Sequence, residues 1–336
     1  MIPIYEEIVE PALEIYDPHH HLWDLSQLGV RDHFPYLETE YLFPDFLADT
    51  RQGHRITKTV FLQCYAFHRA DGPKEMAPLG EVEFANGVAA MGASGNYGEL
   101  RPCAGIVSRA DLILGDAVEP VLEAQRRAAG DRLKGVRNVV AHDPTGSVFT
   151  AGGTLDGNLY SHPDFRAGFA RLAAHGLTFD AYCYHSQLDE VIALARAFPD
   201  QPIVLDHLGT PISVGAYAGR RDEIFADWRA SMTELAGCAN VSVKLSGLGM
   251  TMLGFDLPDR ASVPSRTVAA AWAPYVETCI ALFGVDRCMF ASNFPVDSFV
   301  CGYGIMWNAY KHITAGYSAD EKDRLYRLTA KAFYSL

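Results

Sequence analysis

His19 and His21 stand two residues apart in the run Asp17-Pro18-His19-His20-His21. Alternate side chains of an extended strand point the same way, so the two imidazoles would share one face. Neutral imidazole is the commonest metal ligand, and two from one strand give a divalent ion half of a tetrahedral site; the same pair can also move protons. A surface histidine run would have the same spelling, so the weight falls on what recurs downstream. His207 follows Ile203-Val204-Leu205-Asp206, and Tyr184-His185 follow Phe179–Cys183. Lys244 lies inside Val241-Ser242-Val243-Lys244-Leu245-Ser246-Gly247, where an unpaired ammonium would be costly. Four apolar runs that each end in, or contain, such a residue point to one shared site. Arg137 and Arg109 are candidates for pairing with a substrate carboxylate, Arg137 for the site and Arg109 as an ordinary ion-pair residue. Trp23, Tyr65, Tyr184 and Tyr303 are candidates for an apolar pocket wall.

The elements that must position these residues alternate. Short β-branched and aromatic runs predict strands at Glu14–His19, Thr59–Ala66, Arg101–Val107, Leu133–Val139, Leu177–Cys183, Pro202–Asp206, Asn240–Leu245 and Arg287–Ala291. Helix-periodic stretches predict helices at Phe43–Gln52, Gly80–Ala93, Asp116–Ala129, Pro163–His175, Leu188–Phe198, Asp222–Ala236, Arg266–Phe283 and Ala319–Tyr334. Eight such pairs suit a (β/α)8 barrel. A doubly wound sheet would show a Gly-rich phosphate loop after its first strand, where this chain has the histidine run. The longer segments Asp24–Thr39, Phe67–Pro78, Ala141–Ser161, Leu208–Gly219, Gly247–Ser265 and Asn293–Lys311 each follow a strand. They should gather at the carboxyl face, where barrel enzymes build their sites. Helix-to-strand connections are short, and the Gly/Thr/Asp-rich stretch after Ala141 reads as a long loop, so one domain over 1–336 is expected.

Composition narrows the function classes. The 336 residues carry 28 Lys plus Arg against 41 Asp plus Glu, a net charge of -13, and no basic run interrupts the acidity. Nucleic-acid binding and attachment to an anionic membrane are therefore not expected. A hydrophobic share of 49% with 21% charged residues is that of a chain able to bury a large core. The stretch Met1–Glu10 lacks the basic start of a secretory or mitochondrial leader, and no apolar run reaches the roughly 18–20 residues of a membrane helix. Seven cysteines, odd in number and without a C-x-x-C, read as buried thiols of a reduced, cytoplasmic protein. With neither G-x-G-x-x-G nor a P-loop, no nucleotide cofactor is expected. A homo-oligomer such as a dimer is the default for a soluble enzyme.

Several segments together resemble a known family. They are Asp17–Asp24, Val60–Gln63, Lys134–Arg137, Phe179-Asp180, Gln187-Leu188, Phe198-Pro199, Leu205-Asp206-His207-Leu208-Gly209-Thr210-Pro211, Lys244–Leu248 and Met289–Val296. The chain resembles the amidohydrolase superfamily, in the branch of 2-pyrone-4,6-dicarboxylate lactonase and the sugar-acid lactonases. The resemblance implies a distorted (β/α)8 barrel with its site at the carboxyl face, and hydrolysis of a carboxylated or sugar-acid lactone. It implies one divalent ion, zinc or manganese, held by His19, His21 and His207, with His185 or Tyr184 at the variable fifth-strand position. Arg137, Tyr184, Lys244 and Trp23 are the candidates for contact with the substrate. Where the superfamily ends its eighth strand in Asp, this chain has Asn293, a poor base and weak ligand. Asp297, four residues on, is then the candidate general base, with Asn293 positioning water or substrate; a turn-capping role is the alternative for Asp297. Some relatives work without metal, the histidines then polarising the carbonyl themselves. Two other readings keep the scaffold: a decarboxylase or hydratase of an aromatic or enol acid, and a non-catalytic ligand-binding barrel.

Overall fold

The structure is a computed structural model that describes residues 5–26, 39–149 and 158–336. Eight parallel strands follow one another in chain order around a nearly closed barrel: β1 Glu14–His20, β2 Arg55–Leu62, β3 Arg101–Ser108, β4 Leu133–Val139, β5 Thr178–Tyr182, β6 Ile203–Leu205, β7 Val241–Leu245 and β8 Cys288–Phe290. Every neighbouring pair from β1 to β8 is hydrogen-bonded in parallel. The seam from β8 back to β1 is closed beyond the strands by Asn293 N donating to His19 O at 2.8 Å and His21 N to Phe294 O at 2.8 Å. Short β8, cut off after Phe290, leaves these loop amides to complete the circle.

Outside the barrel lie α1 Phe43–Thr50, α2 Leu79–Ala93, α3 Glu119–Ala129, α4 Pro163–Ala174, α5 Leu188–Ala197, α6 Arg221–Ala236, α7 Ser265–Phe283 and α8 Tyr303–Ile313. The chain ends in α9 Ala319–Asp323 and α10 Thr329–Tyr334, joined by a π-turn over Arg324–Leu328. Local chemistry sets the helix starts. Pro163 opens α4, where its missing N–H costs nothing, and Ser318 caps α9 in a reciprocal box with Glu321. Phe165, Phe169 and Leu172 then turn the inner face of α4 onto the sheet, each burial contributing roughly 1.5–3 kcal/mol.

Inside the barrel, Tyr16, Val60, Leu62, Val107, Val204 and Met289 pack with Tyr334 from the last helix. The amino-terminal half of the barrel is thus a filled core, and chemistry is left to the other end. Strand and helix bounds agree with the sequence reading to within a few residues. The largest shifts are at β2, which starts at Arg55 rather than Thr59, and in Asn293–Lys311, read as irregular but holding α8. The predicted loops Asp24–Thr39 and Ala141–Ser161 lie partly outside the described residues. Trp23–Asp24 pairs antiparallel with Glu40–Tyr41 at the barrel mouth. Among the described residues no helix is long and apolar enough to cross a membrane. All seven cysteines are free thiols.

Candidate active site

Strand alternation separates the three consecutive histidines of β1. His20 turns outward, stacking on Phe46 at 4.1 Å between ring centroids and pairing with Thr59 Oγ1 at 2.8 Å. His19 and His21 turn inward, with their Nε2 atoms 3.2 Å apart. His21 Nδ1 lies 2.9 Å from the Leu62 carbonyl, which can only accept, so Nδ1 carries the proton and Nε2 the lone pair.

Below them is a buried charge cluster drawn from four strands. Lys244 Nζ reaches Asp180 Oδ2 at 2.5 Å, Asp206 Oδ1 at 3.1 Å and His19 Nδ1 at 3.2 Å, one acceptor for each of its three protons. The ammonium makes His19 Nδ1 an acceptor, and His19 Nε2 lies between His21 Nε2 at 3.2 Å and Arg137 Nη1 at 3.3 Å. Arg137 places Nη1 3.3 Å from Asp206 Oδ2 and gives Nη2 to the Gln63 carbonyl. Tyr334 donates to Asp180 at 2.6 Å. Two carboxylates thus face two cations, which is what lets charged groups with no solvent exposure persist here. Burial alone would raise Asp206, but Lys244 and His19 beside it hold it well below the usual carboxylate range. Burial outweighs Lys244 at Asp180, which is pushed up to about 6.

His207 sits just past β6 in a left-handed backbone conformation (φ 55°), as does Asn293 past β8 (φ 52°). Non-glycine residues held there store strain that tends to collect at functional positions. Gly247 makes the His207 pose possible, because a Cβ there would fall 2.4 Å from His207 Cβ. His207 Nδ1 is 2.9 Å from Ser246 Oγ, and its ring lies 4.4 Å from that of His19. Burial holds all three inward imidazoles neutral: His207 is lowered to about 3, and His19 and His21 fall well below the ordinary histidine value. Asn293 donates from Nδ2 to Asp297 Oδ1 at 2.8 Å. Burial pushes Asp297 up to about 7 against the pull of that amide and the Gly249 and Gly247 N–H groups. Asp17, under the seam, accepts from Ser292 N at 2.9 Å and Tyr303 Oη at 3.0 Å, and is raised by burial to about 6.

His21, His207, Arg137 and Asn293 form the floor of a cavity of about 310 Å³. Its walls are Trp23, Leu25, Cys64, Tyr65, Val139, Phe149, Tyr182, Met250, Thr251, Met252, Val296 and Phe299. Trp23 is stacked on His21 with ring centroids 5.7 Å apart.

Several sequence expectations are displaced. Tyr184 is buried with its hydroxyl on the Phe149 carbonyl at 2.6 Å; Tyr182, the last residue of β5, takes the wall position instead. His185 begins a turn after β5, accepts from Ile212 N at 3.3 Å and stacks edge-on to Tyr217, apart from the other histidines. Lys244 lies beneath His19 and does not line the cavity. Asp297 is fully buried behind Asn293 and does not line it either, because the turn after Pro295 carries it under the Gly247–Gly249 loop. Tyr303 is spent on Asp17, and the Arg109 guanidinium lies over the Tyr65 ring at 5.1 Å. Asp206 was not singled out from sequence; its signal was an acidic residue closing an apolar strand next to His207.

His19, Asp206 and His207 offer donor atoms that all lie within 4.8 Å of one another, a group able to hold a metal ion. Imidazole and carboxylate suit zinc or manganese. The 3.2 Å between the Nε2 atoms of His19 and His21 is close to the roughly 3.3 Å edge of a tetrahedron with bonds of about 2.0–2.1 Å to nitrogen. The residues therefore fit a divalent ion, whose binding needs these imidazoles neutral, as burial holds them.

The sequence model of the amidohydrolase family matches residues 16–336. Uncharacterized protein y4mH of Sinorhizobium fredii is 32% identical over 337 residues, covering 96% of this chain and 98% of the relative. An L-fucono-1,5-lactonase of Burkholderia multivorans is 29% identical over 238 residues, 69% of this chain and 72% of the lactonase. Among solved structures, an amidohydrolase from Burkholderia multivorans with bound zinc superposes with a TM-score of 0.71 at 23% identity, covering 96% of this chain and 99% of that one. At that identity the likeness bears on the fold.

Proposed function

The chain belongs to the amidohydrolase family, and from that premise we propose that it opens a lactone ring by adding water at the carboxyl end of the barrel. The observation that carries this reading is the cavity floor. Neutral imidazoles, one guanidinium and one oriented amide face a small apolar chamber, a set matched to ester hydrolysis. The similarity to a lactonase over 69% of the chain supports it.

The steps follow from the residues in place. Asn293, whose amide is turned by Asp297, presents its carbonyl oxygen to the attacking water. His207, with Nδ1–H given to Ser246, accepts a water proton at Nε2, and the charge of Asp206 stabilises the imidazolium as it forms. The water oxygen bonds to the lactone carbonyl carbon, and the developing oxyanion meets Arg137, the one cation lining the cavity among the described residues. Collapse breaks the ring C–O bond, and His207 returns the proton to the departing alkoxide, leaving a hydroxy acid. Asp297, seated behind Asn293, is a positioning residue rather than the base the sequence suggested. A divalent ion held by the Nε2 atoms of His19 and His21 would add Lewis-acid polarisation of the same carbonyl and would leave His207 Nε2 free as the base.

The test is lactone turnover by wild type, His207→Ala and Asn293→Ala. Losses of roughly 10²-fold or more in kcat for His207→Ala, the low end for an acid–base group, are expected. Full turnover in His207→Ala would overturn the assignment.

A further inference from the structure

The cavity above the floor has a chemical bias that bears on what it accepts. Among the described residues the floor carries His21, His207, Arg137 and Asn293, while the walls are mainly aromatic, aliphatic and thioether, with Trp23, Tyr65, Phe149, Met250, Met252 and Phe299 beside the hydroxyl of Thr251. Tyr182 places its hydroxyl 3.9 Å from the sulfur of Met250, another wall residue. Tyr65 and Phe149 remain 40% and 43% exposed beside the cavity.

A polyhydroxylated lactone would bring several hydroxyls against these walls, and each one buried without a partner carries a desolvation penalty. A ring bearing a further carboxylate would need a second cation. Arg137 is the only one lining the cavity among the described residues, and the oxyanion of the reaction takes it. An alkyl or aryl substituent meets neither obstacle. At about 310 Å³ the chamber lies at the small end of ligand sites, which suits a ring with one modest substituent.

We infer that the substrate is a lactone carrying an apolar alkyl or aryl substituent, and that sugar-acid and carboxylated lactones are poor ligands. The inference rests on the lactonase reading for its reaction, but its binding preference can be measured separately. The experiment takes one six-membered lactone ring and varies the substituent: hydrogen, methyl to pentyl, phenyl, polyhydroxyl and carboxylate. kcat/KM is followed by acid release, and Kd for each compound by calorimetry on wild type and Met252→Gln.

Affinity should rise about fourfold for each buried methylene until the chamber is filled. Polyhydroxylated and carboxylated rings should bind at least tenfold more weakly than the alkyl ones, and Met252→Gln should flatten the alkyl series. Equal or tighter binding of the polyhydroxylated or carboxylated rings overturns the inference. If no ring is opened, the lactonase reading fails, while the order of Kd values still decides the substituent.

Discussion

Replacing Lys244 with Met keeps the shape of the side chain and removes the cation that three acceptors share. In the wild type, Lys244 lies 2.5 Å from Asp180, 3.1 Å from Asp206 and 3.2 Å from His19, all without solvent exposure. The variant leaves Asp206 with Arg137 and Asp180 with no cation beside it. Removing one partner of a buried ion pair costs about 3–5 kcal/mol, a large fraction of the roughly 5–15 kcal/mol that holds a folded protein together. The loss must depend on pH in a defined direction. Asp180 has a folded pKa of about 6, already above its ordinary 3.8, and without Lys244 it moves higher. A carboxyl raised in this way supports the fold fully below 3.8 and ceases to do so as pH rises through its folded value. The deficit of Lys244→Met is therefore largest at pH 8 and shrinks toward pH 5, where Asp180 neutralises itself by binding a proton. Urea denaturation followed by tryptophan fluorescence at both pH values measures this. A loss under about 1 kcal/mol at pH 8, or one that does not change with pH, would refute the shared-cation account.

Three further outcomes are expected. Gly247→Ala pushes a Cβ to 2.4 Å from His207 Cβ at a position with φ 74°, so lactone turnover should fall at least tenfold with circular dichroism unchanged; unaltered kcat would mean the His207 pose is not required. His54, buried between Lys311 Nζ at 2.9 Å and the Gly304 carbonyl at 3.0 Å, is lowered by burial and by Lys311 from 6.5 to about 3. Its neutral form supports the fold above 6.5 and that support is lost as pH falls toward 3, about 2 kcal/mol between pH 7 and 5; His54→Gln should flatten the urea-stability slope by that amount, and an unchanged slope would contradict it. Asn293→Asp sets a second carboxyl 2.8 Å from Asp297, so its melting temperature should drop more above pH 7 than at pH 5, and a pH-independent melt would show that the two groups do not interact.

The barrel was legible because strand and helix periods alternate cleanly, and His19 with His21 because two residues along a strand share a face. His207 and Arg137 were legible as polar residues closing apolar runs. What escaped was decided beyond the strand ends. Tyr182 and Tyr184 have the same parity, but β5 stops at Tyr182 and the following turn carries Tyr184 and His185 away from the cavity. Asp297 has the right composition for a base, yet the chain after Pro295 tucks it behind Asn293. Asp206 and Asp180 gain their meaning only from Lys244 and Arg137, which reach them from other strands. Such a cluster is a property of barrel closure and has no local spelling.

The account stands most directly on the bond that is broken. Incubating the protein with an alkyl-substituted six-membered lactone in heavy-oxygen water and weighing the product distinguishes the alternatives in one spectrum. Acyl-oxygen hydrolysis predicts a hydroxy acid with one heavy oxygen, confined to its carboxyl group, and its loss in His207→Ala. Heavy oxygen in the hydroxyl, or an unchanged lactone, would contradict it.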